Sequence, residues 1–194
     1  MSTSVVPAPS LQTPRLLLRP WLPADLEPFA RLNADPRVME HLPGALSREQ
    51  SDALAGRIAA HFTERGFGLW ALEVPGVARF VGFVGLSVPR FETAFTPCVE
   101  VGWRLAAEHW GRGYATEAAR AALAFGFDGL GLTEIVSFTV PANLRSRAVM
   151  ERIGMTRDPG EDFEHPSLPP SHPLRRHVLY RLRSRARPAP TPTP

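Results

Sequence analysis

The stretch from Pro97 to Gly129 constrains this chain most, because its periodicity changes midway. Val99, Val101, Trp103 and Leu105 alternate with Glu100, Gly102 and Arg104, the two-residue period of a half-buried strand. Gly111-Arg112-Gly113 then breaks the chain. Beyond Ala115 the apolar positions fall at Ala118, Ala119, Ala122 and Leu123, which is helical spacing. A strand feeding a glycine turn at a helix N-terminus makes an anion cradle. The first N–H groups of the helix lack partners, the helix dipole is positive there, and glycine lets a phosphate approach the main chain.

Two nucleotide motifs built on such a turn fail at named positions. A P-loop needs Gly-Lys-Ser/Thr, and no such run exists. A dinucleotide fingerprint starting at Gly111 needs a third glycine where Thr116 stands. Glu134 lies about where that motif places its acidic residue, yet it opens the next strand, whereas a ribose ligand sits near a strand's C-terminal end.

Elements alternate on either side of this stretch. Arg15–Arg19 reads as a first strand closed by Pro20, and Asp25–Leu32 as a short helix ended near Asp35-Pro36. Ser47-Arg48-Glu49-Gln50 is a capping box that starts a helix running to about Arg65, with Ala53/Leu54, Ile58 and Phe62 on one face and Gly66 as its stop. Leu69–Val74 and Ala78–Val88 read as a hairpin across Pro75-Gly76. Ile135–Val140 is a strand stopped by Pro141, Asn143 caps a helix from Leu144 to about Ile153, and His177–Leu182 is a last strand. The order β-(αα)-βββ-α-β-α-β predicts an α/β (α+β) sandwich of helices on a mixed sheet. We expect a single domain over 13–183, with a flexible tail at 1–12 and a Pro/Arg-rich disordered tail at 184–194.

Charge excludes little. All 22 basic residues are arginine against 19 acidic ones, so the net charge is only +3, and that does not by itself call for nucleic acid. Cys98 is the only cysteine, which rules out an intramolecular disulfide, and Cys–His metal spacing is absent. No run of 18 apolar residues and no signal-peptide pattern occurs, so a soluble, cytoplasmic protein without membrane or metal is the expectation.

The glycine turn resembles the pyrophosphate loop of the GNAT acyl-CoA N-acetyltransferases. Their Gln/Arg-x-x-Gly-x-Gly/Ala motif falls on Trp110-Gly111-Arg112-Gly113-Tyr114-Ala115, with Trp110 in the Gln/Arg place. Trp-Gly-x-Gly-Tyr-Ala-Thr-Glu-Ala, through Ala118, is similar to the Rim-type group, which includes ribosomal-protein N-terminal acetyltransferases. The likeness extends to Thr13–Pro20, Val81–Leu86, Asn143-x-x-Ser146 and Arg176–Tyr180, although Met155 replaces the usual Phe after Gly154. It implies the GNAT fold: a mixed, mostly antiparallel sheet flanked by helices, with a splayed strand pair forming an acyl-CoA cleft. It also implies an enzyme that moves acetyl from acetyl-CoA to a primary amine in a ternary complex, as a monomer or homodimer and with no nucleic-acid partner.

Acetyl transfer needs an anchored donor, a hydrogen bond to the developing oxyanion, a base for the amine and help for the leaving thiolate. On the resemblance, the anchor is Gly111, Arg112, Gly113, Tyr114, Ala115 and Thr116. Asn143 contacts pantetheine, and the backbone near Trp103, Arg104 and Leu105 polarises the thioester. Gly102 predicts a bulge in that strand or a close backbone approach. Glu100 is the candidate base, or else an ion-paired strand residue. Ser146 is the candidate donor to the thiolate, because Met150 stands where many relatives place a tyrosine. Asn143 reads equally as an N-cap, and Ser146 as an unremarkable early helix residue.

His165 is a candidate base or substrate contact, with a surface-loop histidine as the alternative. Trp70, Phe83 and Trp103 are candidates to line the pocket, with core packing as theirs. An acetyl-cysteine at Cys98 is disfavoured, since no histidine is near it in sequence. Acceptor specificity is expected in 36–65 and 158–175. Two readings from other classes stay open: a non-catalytic acyl-CoA-binding module, and a ribosome- or RNA-associated protein using its arginines.

Overall fold

The computed structural model describes residues 9–184. Nine strands form one sheet in the order β1-β2-β3-β4-β5-β6-β9-β7, with β8 paired to β9. The strands are β1 (Leu11–Gln12), β2 (Leu17–Arg19), β3 (Leu69–Val74), β4 (Ala78–Ser87), β5 (Glu100–Leu105), β6 (Glu134–Thr139), β7 (Thr156–Arg157), β8 (Phe163–Glu164) and β9 (Arg176–Arg183). The helices are α1 (Leu26–Ala34), α2 (Pro36–Met39), α3 (Arg48–Arg65), α4 (Tyr114–Ala124) and α5 (Leu144–Arg152). Pairing is antiparallel except between β5 and β6, which α4 joins as a crossover. The mixed, mostly antiparallel sheet with helices on both faces is the expected one.

Alternation along the strands divides two cores. Leu16, Leu18, Trp70, Leu72, Val84, Leu86, Val101 and Leu105 meet Ala118, Ala119, Ala122 and Leu123 of α4. On the other face Phe83 meets Phe29, Leu32, Ala55 and Ile58. Small residues on α4 let that helix sit close to the sheet, and this fixes where its N-terminus points.

Local signals in the sequence act as read. Ser47 Oγ accepts from Gln50 N–H at 3.2 Å while Ser47 N–H donates to Gln50 Oε1 at 2.8 Å. Gly66 closes α3 at φ 74°, a left-handed conformation that costs glycine little. The buried face of α3 is Ser51, Ala55 and Ile58 rather than one centred on Ala53, which is exposed.

Three features differ from expectation. Leu11 and Gln12 pair with Leu18 and Leu17, so the ordered sheet begins inside the segment read as a tail. β7 and β8, of two residues each, carry too short a pattern to be legible. No bulge occurs at Gly102: β4 and β5 stay in register from Ser87↔Glu100 to Gly82↔Leu105, and the irregularity lies instead in the β3–β4 pair. From Arg185 onward the expected C-terminal tail lies outside the described residues.

Candidate active site

β5 and β6 are joined at one point. Glu100 pairs with Val136, and Val136 N–H donates to Val99 O at 2.9 Å. Beyond it the strands part, and a cavity of about 1600 Å³ opens there. Ala106 N–H donates to Val81 O at 3.0 Å. Bonding residues alternate along an antiparallel ladder, so Arg104, Gly102 and Glu100 spend their main-chain groups on β4. Trp103 and Leu105 turn theirs toward the gap. Trp110 Nε1 takes the Leu105 carbonyl at 2.8 Å, which leaves the Trp103 main chain and the Leu105 N–H on the open side. The splay therefore leaves main-chain groups facing the cavity without a bulge at Gly102.

The glycine turn ends at the mouth of the same cavity. Gly111 and Gly113 take φ 72° and 80°, and Gly113 caps α4 with no side chain to satisfy the helix's first N–H groups. Tyr114, Ala115 and Thr116 line the cavity with those donors unpaired, a fit for a pyrophosphate. Nothing lies within 4 Å of a Cβ built on Gly111, and only Arg15 Nη2, at 3.4 Å, meets one on Gly113. Space above the turn is free for a ligand.

Arg112 is exposed and absent from the lining, contrary to its expected role. The cation in reach of the turn is Arg15. It donates to Arg112 O at 3.0 Å and grips Glu117 through Nε and Nη2 at 2.7 and 2.6 Å. Thr13 Oγ1 adds a hydrogen bond to Glu117 at 2.7 Å. The Thr13-Pro14-Arg15 segment thus belts the turn to α4, a role carried by residues a hundred positions away in sequence.

Glu100 and Ser146 both reach the cavity. Glu100 accepts only from Ser87 Oγ, at 3.5 Å, and has no ion-pair partner among the described residues. Burial pushes its carboxyl up to about 8, with the Ser87 hydrogen bond opposing weakly. Arg104, four residues along the strand, donates to Asn33 Oδ1 at 2.6 Å and not to Glu100. Glu100 is a buried carboxyl on the cavity lining, not a strand residue held in a salt bridge.

Asn143 is the N-cap of α5 and also lines the cavity: its Oδ1 accepts from Ser146 N–H at 3.2 Å and its Nδ2 donates to Thr139 Oγ1 at 3.0 Å. The Ser146 hydroxyl makes no hydrogen bond within the described chain. Buried Met150 lines the cavity where a tyrosine hydroxyl would otherwise stand.

Three expectations are corrected. Trp70 is fully buried, with its Nε1 donating to Pro9 O at 2.6 Å, and is core rather than pocket; Phe83 and Trp103 do line the cavity. His165 lies outside the lining in an aromatic cluster, 4.6 Å from the Phe91 ring and 5.0 Å from His177. Burial and the neighbouring His177 hold its imidazole below the usual value. Segment 158–175 gives the lining nothing, while Arg37, Val38, His41 and Leu42, just after α1, do line it.

His109, also on the lining, was not singled out from sequence; a lone histidine between two motifs carries no spacing signal. Cys98 is pushed up to about 11 by burial and by Glu100, so its thiol stays protonated and is no nucleophile. Among the described residues no His/Cys/Asp/Glu group could hold a metal ion, and no helix is long and apolar enough to cross a membrane.

Known proteins resemble this chain in sequence and fold. The FsC-acetyl coenzyme A-N(2)-transacetylase of Aspergillus fumigatus is 34% identical over 155 residues, 76% of this chain; the chain spans 65% of that protein, less than two thirds. An acetyltransferase from Agrobacterium tumefaciens superposes with a TM-score of 0.74 at 30% identity, covering 95% of this chain and 99% of that one. Mycobacterium smegmatis RimJ, solved with CoA-disulfide, shares the fold at a TM-score of 0.68 and 20% identity, with 91% of this chain and 86% of that one covered. Residues 15–156 match the family described as "Acetyltransferase (GNAT) domain". This chain belongs to the GNAT acetyltransferase family.

Proposed function

We propose that the protein transfers acetyl from acetyl-CoA to a primary amine, on a protein N-terminus or a small molecule, directly in a ternary complex. One observation carries the reading. The unpaired N–H groups of Tyr114, Ala115 and Thr116, the open main chain of Trp103 and a carboxyl raised to about 8 at Glu100 all face one cavity. Acetyl-CoA supplies an activated acyl carbon and a thiolate leaving group. The turn from Gly111 to Thr116, with Arg15 beside it, holds the pyrophosphate, and Asn143 and the β5 edge orient the pantetheine.

Glu100 takes the proton that the amine loses as the C–N bond forms. An N–H at Trp103 or Leu105 donates to the carbonyl oxygen as charge builds there. The Ser146 hydroxyl donates to the sulfur as the C–S bond breaks. The thiol regains a proton, so the amine proton is conserved overall. An acetyl-cysteine route has no support, given the state of Cys98.

The Trp110–Ala118 run and the shared fold of RimJ support a Rim-type placement. The name of the Aspergillus relative, an acetyl coenzyme A-N(2)-transacetylase, supports acetyl transfer to a nitrogen. Calorimetric titration with acetyl-CoA, paired with free-thiol release over a panel of amines, tests the reading. We expect binding and amine-dependent thiol release, and loss of both in Gly113→Glu, whose carboxylate would occupy the phosphate position. Binding without thiol release for any amine would leave a non-catalytic acyl-CoA module, and undiminished binding by Gly113→Glu would remove the anchor.

A further inference from the structure

Arg104 is the unexplained charge of the cavity. It shares a sheet face with Glu100 and Gly102, because β5 alternates without interruption, and with Phe83, its partner across the ladder. This is the face covered by α1 and α3, opposite the side on which α4 stands. Its guanidinium lies over the Phe83 ring at 5.4 Å and donates one Nη1 hydrogen to Asn33 Oδ1 at 2.6 Å. Fully buried Asn33 is itself fixed, its Nδ2 donating to Ser51 Oγ at 2.9 Å. The arginine is therefore aimed and held by neutral groups, with no carboxylate in ion-pair reach among the described residues.

The other cavity arginines differ. Arg15, Arg37 and Arg145 are exposed and paired with Glu117, Asp35 and Glu40. Exposed Arg120 and Arg152 belong to α4 and α5, on the far side of the sheet. Arg104 alone is withdrawn from bulk water without a counter-ion, and burial pushes it down to about 10. A desolvated cation is costly unless an anion completes it. Its Nε and Nη2 make no hydrogen bond within the described chain, yet neither is sealed from the cavity as the buried, unpartnered Nδ1 of His109 is.

Between Arg104 and Glu100 lies Gly102, where a built Cβ would meet only Glu100 Oε1, at 3.8 Å. The floor is open across about 13 Å of strand. One end carries a base for an amine and the other an unfilled guanidinium fork. A planar fork with one vacant edge matches a carboxylate, which it can grip through two parallel hydrogen bonds. Among the described residues no second unpaired cation stands beside it on this face to favour a dianion.

We propose that Arg104 binds a carboxylate on the acceptor, so that the substrates are amines that also carry a carboxylate, of the amino-acid class. The proposal rests on the acetyl-transfer reading and deepens it by naming the acceptor's chemistry. The amine sits at Glu100 and the carboxylate at Arg104, with Gly102 beneath the atoms that join them.

The test compares amino carboxylates with their decarboxylated partners: L-phenylalanine with 2-phenylethylamine, 4-aminobutanoate with propylamine, and 6-aminohexanoate with pentylamine. Each is titrated into CoA-saturated protein by calorimetry, and thiol release with acetyl-CoA is followed in parallel. At least one carboxylate should bind tenfold or more tightly than its partner amine. Arg104→Met should erase that preference through KM while leaving acetyl-CoA affinity and turnover of the plain amine within about threefold, and Arg104→Lys should restore part of it.

Equal binding of both members of every pair, or equal damage to both in Arg104→Met, overturns the assignment. So does tighter binding of 3-aminopropylphosphonate than of 4-aminobutanoate. Carboxylate-selective binding without thiol release would uphold Arg104 and sink the acetyl-transfer reading. Thiol release with no selectivity would do the reverse.

Discussion

Glu100 shows how burial changes the chemistry of an ordinary strand residue. Its carboxyl is desolvated and takes one long hydrogen bond from Ser87, so the charged form is penalised and the proton is held up to about pH 8. A base with that affinity is half ionised near working pH, where general-base catalysis is most efficient. We expect kcat/KM to rise with pH through an apparent value near 8. Glu100→Gln should lose that limb and fall by about a hundredfold or more. Unaltered turnover in this variant removes Glu100 from the mechanism.

Stability carries the opposite sign. Between the usual 4.5 and about 8 the folded chain keeps a proton that the unfolded chain releases, so Glu100 makes stability fall as pH rises through that window. Glu100→Gln escapes this loss, and its melting temperature should gain on wild type from pH 5 to pH 8. A constant difference would show that the carboxyl is not desolvated. The residue type and strand position were legible in the sequence. The raised affinity was not, because it depends on what packs around the carboxyl.

At the scale of elements, the decisive arrangement is one strand committed to its neighbour on one side and released on the other. β5 holds β4 through an unbroken register and β6 through one pair. The firm side depends on close approach. A Cβ on Gly82 would stand 2.1 Å from the Arg104 carbonyl oxygen, and the residue sits at φ 139°, which side chains rarely adopt. Gly82→Ala should destabilise the fold by on the order of 3 kcal/mol, from backbone strain added to overpacking. Urea unfolding checks this, and a midpoint like that of wild type would mean that β4 can shift to admit a methyl.

The periodicity of β5 and the capping signals of α3 and α5 were readable because they are local. The expected bulge at Gly102 was wrong for the complementary reason. Glycine signals that something needs space, but not whether that space goes to a kinked strand or to an open floor. Trp110 is a similar case. Its place in the motif was plain, yet its hydrogen bond to the Leu105 carbonyl, which closes the end of the gap, appears only in three dimensions.

For the whole molecule, the two cores on opposite sheet faces divide the labour. The α4 face carries the glycine turn, proposed to hold the donor, and the α1/α3 face carries Glu100 and Arg104, proposed to meet the acceptor. Donor binding should therefore reinforce contacts made by distant segments, including the Thr13–Arg15 belt, β5, α4 and the Asn143 cap. Acetyl-CoA at a hundred times its Kd should stabilise the fold by about 2.7 kcal/mol, which for a chain of this size raises Tm by roughly 5–10 °C. A thermal shift series with acetyl-CoA, CoA and ATP checks this. Equal shifts for all three would mean that only phosphate recognition contributes, not the pantetheine gap.

The sequence by itself determined the local elements on which the proposed donor site is built. The Trp110–Ala118 run, the Asn143 cap and the alternation of β5 are short-range patterns whose physics is complete within a few residues. Only the tertiary structure decided which cation lies beside the turn, which strand edge is open, and that Arg104 has no counter-ion among the described residues. Those facts depend on residues distant in sequence meeting across a sheet: Arg15 with Glu117, Arg104 with Asn33, and β5 with β6 at one pair alone. A motif records what a loop needs, whereas desolvation and charge pairing are properties of the packed whole.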